Sequence, residues 1–237
     1  MLVKKNHYDK TELIIFDWDG FLAKSLQVWL DAFQSGYSSF DLRPNNAEIS
    51  SRFGHWGEAY KLANLDDIQK LNDVARSKAI PQLDSVELYQ GAKETLNLVS
   101  SLRNACKLSG AVLWTGSHHD AIQSPLEYHG ITDIFDLIIT RTDPVLPKPN
   151  SEAIGYAAKY LDLDVRAEQV VVFGDTNNDV LSAKNFGARS VLFLPPDNLE
   201  IYGADQMASF EALQPDFIVR SHKEVHRLLL DLTGQNQ

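Results

Sequence analysis

Leu13-Ile14-Ile15-Phe16-Asp17-Trp18-Asp19-Gly20 is the stretch whose reading decides the fold. Four apolar residues in a row, without polar alternation, describe a strand buried on both faces, as in a parallel sheet. The run stops at two carboxylates and a glycine, which lets the chain turn sharply. Two acids at one strand end repel each other unless something positive lies between them.

Further runs of the same kind follow at Ala111 to Trp114, Leu137 to Thr140, Val170 to Phe173 and Ser190 to Leu194, with Phe217 to Val219 as a weaker last member. Helical patterns lie between most of them, notably Gly91 to Leu108, Ser151 to Leu161 and Asp179 to Phe186. This alternation predicts a doubly wound α/β domain with a parallel sheet. Such sheets present their sites at the carboxyl ends of the strands.

The segment from Ser25 to about Gln90 breaks the alternation. Helix-like stretches at Leu26 to Phe33, Ala47 to Phe53 and Asp66 to Ile80 are punctuated by turn signals at Arg43-Pro44-Asn45 and Ile80-Pro81. It reads as an inserted helical cap over the site, the alternative being a helical layer flanking the sheet. The expected division is a core of residues 1–24 and 91–237 with a cap of residues 25–90.

An Asp-rich strand end is ordinary turn chemistry when it stands alone. A second one, Val170-Val171-Val172-Phe173-Gly174-Asp175-Thr176-Asn177-Asn178-Asp179, would bring Asp175 and Asp179 to the same sheet edge as Asp17 and Asp19. Oxygen-only ligands with room for water and phosphate favour Mg²⁺ over zinc or copper. Leu113-Trp114-Thr115-Gly116-Ser117 is a third strand end, where a hydroxyl and the amides of a glycine turn could hold phosphate oxygens. Pro147-Lys148-Pro149 supplies a Lys between two residues that restrict the backbone, and an ammonium there would offset charge that the metal leaves over.

The order and content of these four parts resemble the haloacid dehalogenase superfamily of phosphotransferases: D-x-D-G after the first strand, Thr or Ser after the second, a Lys before a later helix, and G-D-x-x-x-D after a further strand. The turn at Leu88-Tyr89-Gln90-Gly91-Ala92 is similar to the return from the helical cap in the phosphoglycolate phosphatase and β-phosphoglucomutase-like branch. The resemblance implies a HAD-like, Rossmannoid core and a hydrolase of phosphoric monoesters. It implies Asp17 as the nucleophile forming an aspartyl phosphate, and Asp19 as the acid that protonates the leaving oxygen and then activates water. Mg²⁺ would be held by Asp17, the main-chain carbonyl of Asp19 and Asp175, with Asp179 either a direct ligand or positioning a bound water and Lys148. Thr115, Gly116 and Ser117 would bind the transferring phosphoryl group, with Lys148 stabilising Asp17 and the developing charge. An acid at position 19 favours phosphate esters or phosphomutase chemistry over the dehalogenase, ion-pumping and phosphonate-cleaving branches.

Three positions depart from the common pattern. Phe21 replaces the usual Thr or Val, Lys24 a frequent Asp, and Ser117 a frequent Asn. The first two bear on cap closure and substrate preference rather than on core chemistry, the third on contacts of the phosphate loop. In the cap, Arg52 could bind a second anionic group of the substrate, and His55 beside it lies where related proteins place a selecting loop; both fit cap surface or packing equally well. His118 and His119 follow the phosphate loop and could face the site, although histidines are also tolerated at a helix start. The aromatic-rich stretch from Trp29 to Phe40 reads as cap packing.

Composition bounds the rest. A net charge of −10 over 237 residues leaves no basic stripe for nucleic acid, so the expected partner is a small phosphorylated metabolite. A lone cysteine, Cys106, excludes an internal disulfide framework, and the first apolar run is too short for a membrane span or a signal-peptide core. The expected setting is a reducing cytoplasm. Two alternatives stay open: a sugar phosphomutase with the same parts, and a catalytically idle binding protein of the same fold. Neither the substrate nor the oligomeric state is written in these motifs.

Overall fold

The computed structural model describes residues 10–235 of the chain. Its first strand, β1, spans Leu13–Phe16 and is followed by three helices, α1 (Leu26–Ser38), α2 (Asn46–Ser50) and α3 (Leu65–Leu83). The remainder alternates: α4 (Ala92–Asn104), β2 (Gly110–Trp114), α5 (His119–His129), β3 (Leu137–Ile139), α6 (Glu152–Tyr160), β4 (Val170–Gly174), α7 (Asn177–Phe186), β5 (Arg189–Phe193), α8 (Pro196–Ala212), β6 (Phe217–Val219) and α9 (His222–Leu232).

The six strands form one sheet in the order β3-β2-β1-β4-β5-β6, and every pair is parallel. This is the α/β fold expected from the continuous apolar runs. The strand order reverses direction at β1, between β2 and β4, which is where open sheets of this kind build their crevice. Alternate residues of β1 feed two cores. Ile14 and Phe16 pack with Leu96 and Val99 of α4 and Val225 and Leu229 of α9. Leu13 and Ile15 pack with Ala153, Ile154 and Ala157 of α6 and Ala183 of α7. Burial on both faces is why these strands read as unbroken apolar runs.

Register levels the strand ends. Phe16 pairs with Leu113 on one side and with Phe173 on the other, so the chain segments carrying Asp17, Thr115 and Asp175 leave the same sheet edge side by side.

The helical segment after β1 leaves and rejoins the core through neighbouring backbones. Lys24 N donates to Glu87 O at 2.8 Å and Tyr89 N donates to Leu22 O at 2.9 Å, with an antiparallel bridge between Ala23 and Leu88. Within the segment, Gly36 of α1 lies so close to Leu71 of α3 that a side chain there would meet it.

One sequence expectation needs correction. Ile80-Pro81 does not end a helix: α3 continues through Pro81 to Leu83. Pro81 lies on the exposed side of its last turn, while Ala79 and Leu83 are buried on the other. Packing of that face outweighs the one main-chain hydrogen bond that proline cannot donate. The Arg43-Pro44-Asn45 turn is present, with Asn45 capping α2 through a reciprocal pair with Glu48. Among the described residues, no helix is long and apolar enough to cross a membrane.

Candidate active site

Three carboxylates meet at the carboxyl edge of the sheet. Asp17 follows β1, Asp175 follows β4 and Asp179 lies in the first turn of α7. All three are buried, and one oxygen from each lies within 4.8 Å of the others. Two glycines make the approach possible. A Cβ on Gly174 would run into the Asp179 carboxylate, and a Cβ on Gly20, where φ is +75°, would run into Asp175. The glycines beside the acids are therefore fixed by close packing as well as by turn geometry.

Lys148 reaches into this cluster from its loop. Its Nζ donates to Asp17 Oδ1 at 2.8 Å and to Asp179 Oδ1 at 2.6 Å, and lies 5.4 Å from the centre of the Trp114 ring. Burial depresses the pKa of this ammonium, but Asp17 and Asp179 outweigh it and the net shift is upward. Asp179 is further held through Oδ2 by the Thr176 amide at 3.1 Å and its hydroxyl at 2.6 Å, the helix cap of α7.

One ammonium does not satisfy three buried acids. Burial, with the fields of Asp179 and Asp19 added, pushes Asp17 up to about 7 despite Lys148. Burial and the neighbouring Asp17 likewise raise Asp175 well above the usual carboxylate range. Asp175 accepts from the Tyr202 hydroxyl at Oδ2, at 2.7 Å, while its Oδ1 is buried without a hydrogen-bond partner. An orphaned carboxyl oxygen beside two further acids is the environment a hard divalent cation fits, and all the donors are oxygens.

Asp19 stands apart from this cluster and is tied by four donors. Its Oδ1 accepts from Ser25 Oγ at 2.5 Å and from Trp29 Nε1 at 2.9 Å. Its Oδ2 accepts from Ser117 Oγ at 2.6 Å and Thr115 Oγ1 at 3.3 Å. Thr115 is buried and also receives the Ser117 amide at 3.0 Å. Gly116 and Ser117, with Asp17, Asp19 and Lys148, line a cavity beneath α1 and α2, whereas the Thr115 side chain serves as a support behind it.

The remaining candidates from the sequence divide. Arg52 lines the cavity but is exposed and paired with Glu58 at 2.6 Å. His55 lines it too, with Nε2 3.4 Å from Asn178 Nδ2. His118 packs edge-on against Trp56, at 5.8 Å between ring centres, where burial lowers its pKa. His119 is exposed on the first turn of α5.

Several residues were not anticipated. Thr176 could have been found, since T-x-x-D ahead of a helix is a capping signature. Trp29, Tyr202 and Arg141 have no local signal. They reach the site only through tertiary folding, from α1, from α8 and from the loop after β3. Arg141 is half-buried, its amide donates to Ser117 O at 2.8 Å, and burial depresses its pKa.

Comparison with known proteins agrees with this geometry. The profile of a family described as haloacid dehalogenase-like hydrolase matches residues 14–193. A pyrophosphatase, PpaX, of Halalkalibacterium halodurans is 29% identical over 226 residues, which is 93% of this chain and 96% of that protein. A validoxylamine A 7'-phosphate phosphatase of Streptomyces hygroscopicus subsp. limoneus is 27% identical over 192 residues, covering 74% and 82%. Among solved structures, a hydrolase from Pseudomonas syringae superposes with a TM-score of 0.75 at 19% identity, over 93% of this chain and 98% of that one.

Proposed function

The chain belongs to the haloacid dehalogenase-like hydrolase family, and from that premise we propose that it is a Mg²⁺-dependent phosphatase that transfers the phosphoryl group of a small phosphorylated metabolite to Asp17 and then to water. The observation that carries the reading is the buried trio of Asp17, Asp175 and Asp179, served by one ammonium and holding an oxygen with no partner. Relatives with phosphatase and pyrophosphatase names support the reaction class. The paired chain segments at residues 22–24 and 87–89 support reading residues 25–90 as a cap carried on two adjacent linkers.

Asp17, Asp175 and Asp179 would hold the ion, with the main-chain carbonyl of Asp19 as the resemblance implies. When bound, Mg²⁺ supplies positive charge between the carboxylates and the phosphoryl oxygens. Lys148 occupies Asp17 Oδ1, which leaves Oδ2 to attack phosphorus as the bond to the leaving oxygen breaks. Gly116 and Ser117 border the space above that carboxylate, and Arg141, whose amide is bonded to Ser117, lines the same cavity; these groups would surround the phosphoryl oxygens.

The donor set of Asp19 suits a group that carries a proton and gives it up. Trp29 Nε1 can only donate, so it keeps Oδ1 in the acceptor role. Both partners of Oδ2 are hydroxyls, which can turn and accept when that oxygen is protonated. Oδ2 would therefore hold the proton that goes to the leaving oxygen, and would take one back from the water that attacks the aspartyl phosphate.

Phosphate release from a panel of phosphorylated metabolites tests the reading directly. Release should require Mg²⁺, stop with EDTA, and fall by about 10⁴-fold or more in Asp17→Asn. Silence from folded wild-type protein would contradict it, and interconversion of sugar phosphates without net release would identify a mutase instead.

A further inference from the structure

Above the carboxylates the cavity changes character. Its upper wall carries Trp29, Phe33, Ile49, Phe53 and Trp56, and the rings touch one another. Trp29 and Trp56 meet edge-on at 5.5 Å, Phe33 and Trp56 are 5.6 Å apart, and Phe33 and Phe53 are 6.0 Å apart. These side chains do not only pack among themselves, because each also borders the open space that leads down to Asp17 and Asp19.

Charge on the walls points the same way. Five carboxylates line the cavity, namely Asp17, Asp19, Glu58, Asp175 and Asp179, against three permanent cations, Arg52, Arg141 and Lys148. Lys148 is committed to Asp17 and Asp179. Arg141 is tied to the Ser117 loop through its main-chain amide. Arg52, on the upper side, is already neutralised by Glu58. With five carboxylates against three cations, the walls as a whole disfavour a second strong anion on the substrate.

We propose that the substrate is a phosphate monoester whose leaving alcohol carries a flat apolar ring and no second strong anion, the ring lodging against Phe33, Phe53 and Trp56. This inference names the substrate class of the site described above and rests on the phosphatase reading. Ring burial against aromatic faces stabilises the complex through apolar area and ring contacts together. A compact substrate with a second anionic group, such as phosphoglycolate or pyrophosphate, would leave that wall unfilled.

The test compares benzyl phosphate with ethyl phosphate, whose leaving alcohols have similar basicity, and adds phosphoglycolate and pyrophosphate, all with Mg²⁺. The expected kcat/KM for benzyl phosphate exceeds that for ethyl phosphate by about tenfold or more, mostly through KM, and exceeds those of the two substrates that carry a second anionic group. Phe53→Ala should shrink the benzyl-to-ethyl ratio severalfold. The ratio is the readout because misfolding lowers both rates together. Hydrolysis with no preference for benzyl phosphate, or with phosphoglycolate or pyrophosphate as the best substrate, would overturn the ring-bearing substrate and leave the phosphatase reading standing. No hydrolysis of any of the four by folded protein would overturn both.

Discussion

The floor and the upper wall of one cavity are built on opposite plans. The floor stands on strand ends held level by backbone register, and its side chains are charged, buried and bonded at distances between 2.6 and 3.1 Å. The upper wall stands on helices and turns between β1 and β2, and meets the cavity mostly with rings, beside Ile49, Asn72 and an exposed ion pair. A transferring phosphoryl group needs fixed charge, which only a rigid scaffold can supply without reorganisation. A leaving group needs shape and apolar contact, which an insertion can vary without touching the chemistry.

If that division is real, perturbing the floor should cost far more than perturbing the wall. Lys148→Ala should have the largest effect after loss of the nucleophile itself. It leaves Asp17 and Asp179 buried without their ammonium, so phosphate release should fall by at least about 10²-fold. The metal-free protein should lose on the order of 3 kcal/mol in urea unfolding, part of which Mg²⁺ should restore.

Gly174→Ala comes next. Its methyl group would occupy the place of the Asp179 carboxylate, so the acid must move away from Lys148. The half-saturating Mg²⁺ concentration should rise roughly tenfold or more, measured by titrating activity, while the circular dichroism spectrum stays that of the wild type.

A pH effect should follow from the raised carboxyl group. Asp17 titrates at about 7 in the folded chain against an ordinary value of 3.8, so between these limits the folded state holds a proton that the unfolded chain has released. The stabilisation this gives is complete below about pH 4 and is lost as pH rises toward 7. Thermal unfolding of the metal-free protein should show this decline, superimposed on other titrations, and Mg²⁺ should raise the melting temperature more at pH 7.5 than at pH 5. In Asp17→Asn the difference between the two pH values should shrink.

Arg52→Ala should have the smallest effect. Its pair with Glu58 is 43% and 59% exposed on the two side chains, and such pairs contribute about 0.5 kcal/mol or less. Stability should barely change, and KM for a ring-bearing ester should change less than twofold. A large rise in KM would show that the wall recognises a second anion, and would bring its logic closer to that of the floor.

The same contrast separates what the sequence displays from what it hides. The floor was legible because buried parallel strands leave continuous apolar runs, and three of those runs stop at residues that meet at the sheet edge: Phe16 at Asp17, Trp114 at Thr115, Phe173 at Gly174 and Asp175. The rule that such sheets work at their carboxyl edge then brought them together. Helix α9 carries a local signal too, a capping Ser221 followed three residues later by Glu224 and by apolar Val225, Leu229 and Leu232. Helix α8 left little, because Gly203, at φ 73° and ψ 159°, breaks it and blurs any period. The bonds from Tyr202 to Asp175 and from Trp29 to Asp19 were invisible, since they depend on how α8 and α1 approach the sheet edge. The aromatic stretch from Trp29 to Phe40 does pack within the helical segment, and Trp29 and Phe33 border the cavity as well; composition alone does not separate the two roles.

The central claim is covalent transfer to Asp17, and borohydride trapping during steady-state turnover with Mg²⁺ tests it most directly. An acyl phosphate at Asp17 would be reduced to homoserine, so mass spectrometry of the peptide containing residue 17 should show that conversion in the presence of substrate and not after EDTA. Unmodified Asp17 during sustained phosphate release, or conversion at another carboxylate, would contradict the account.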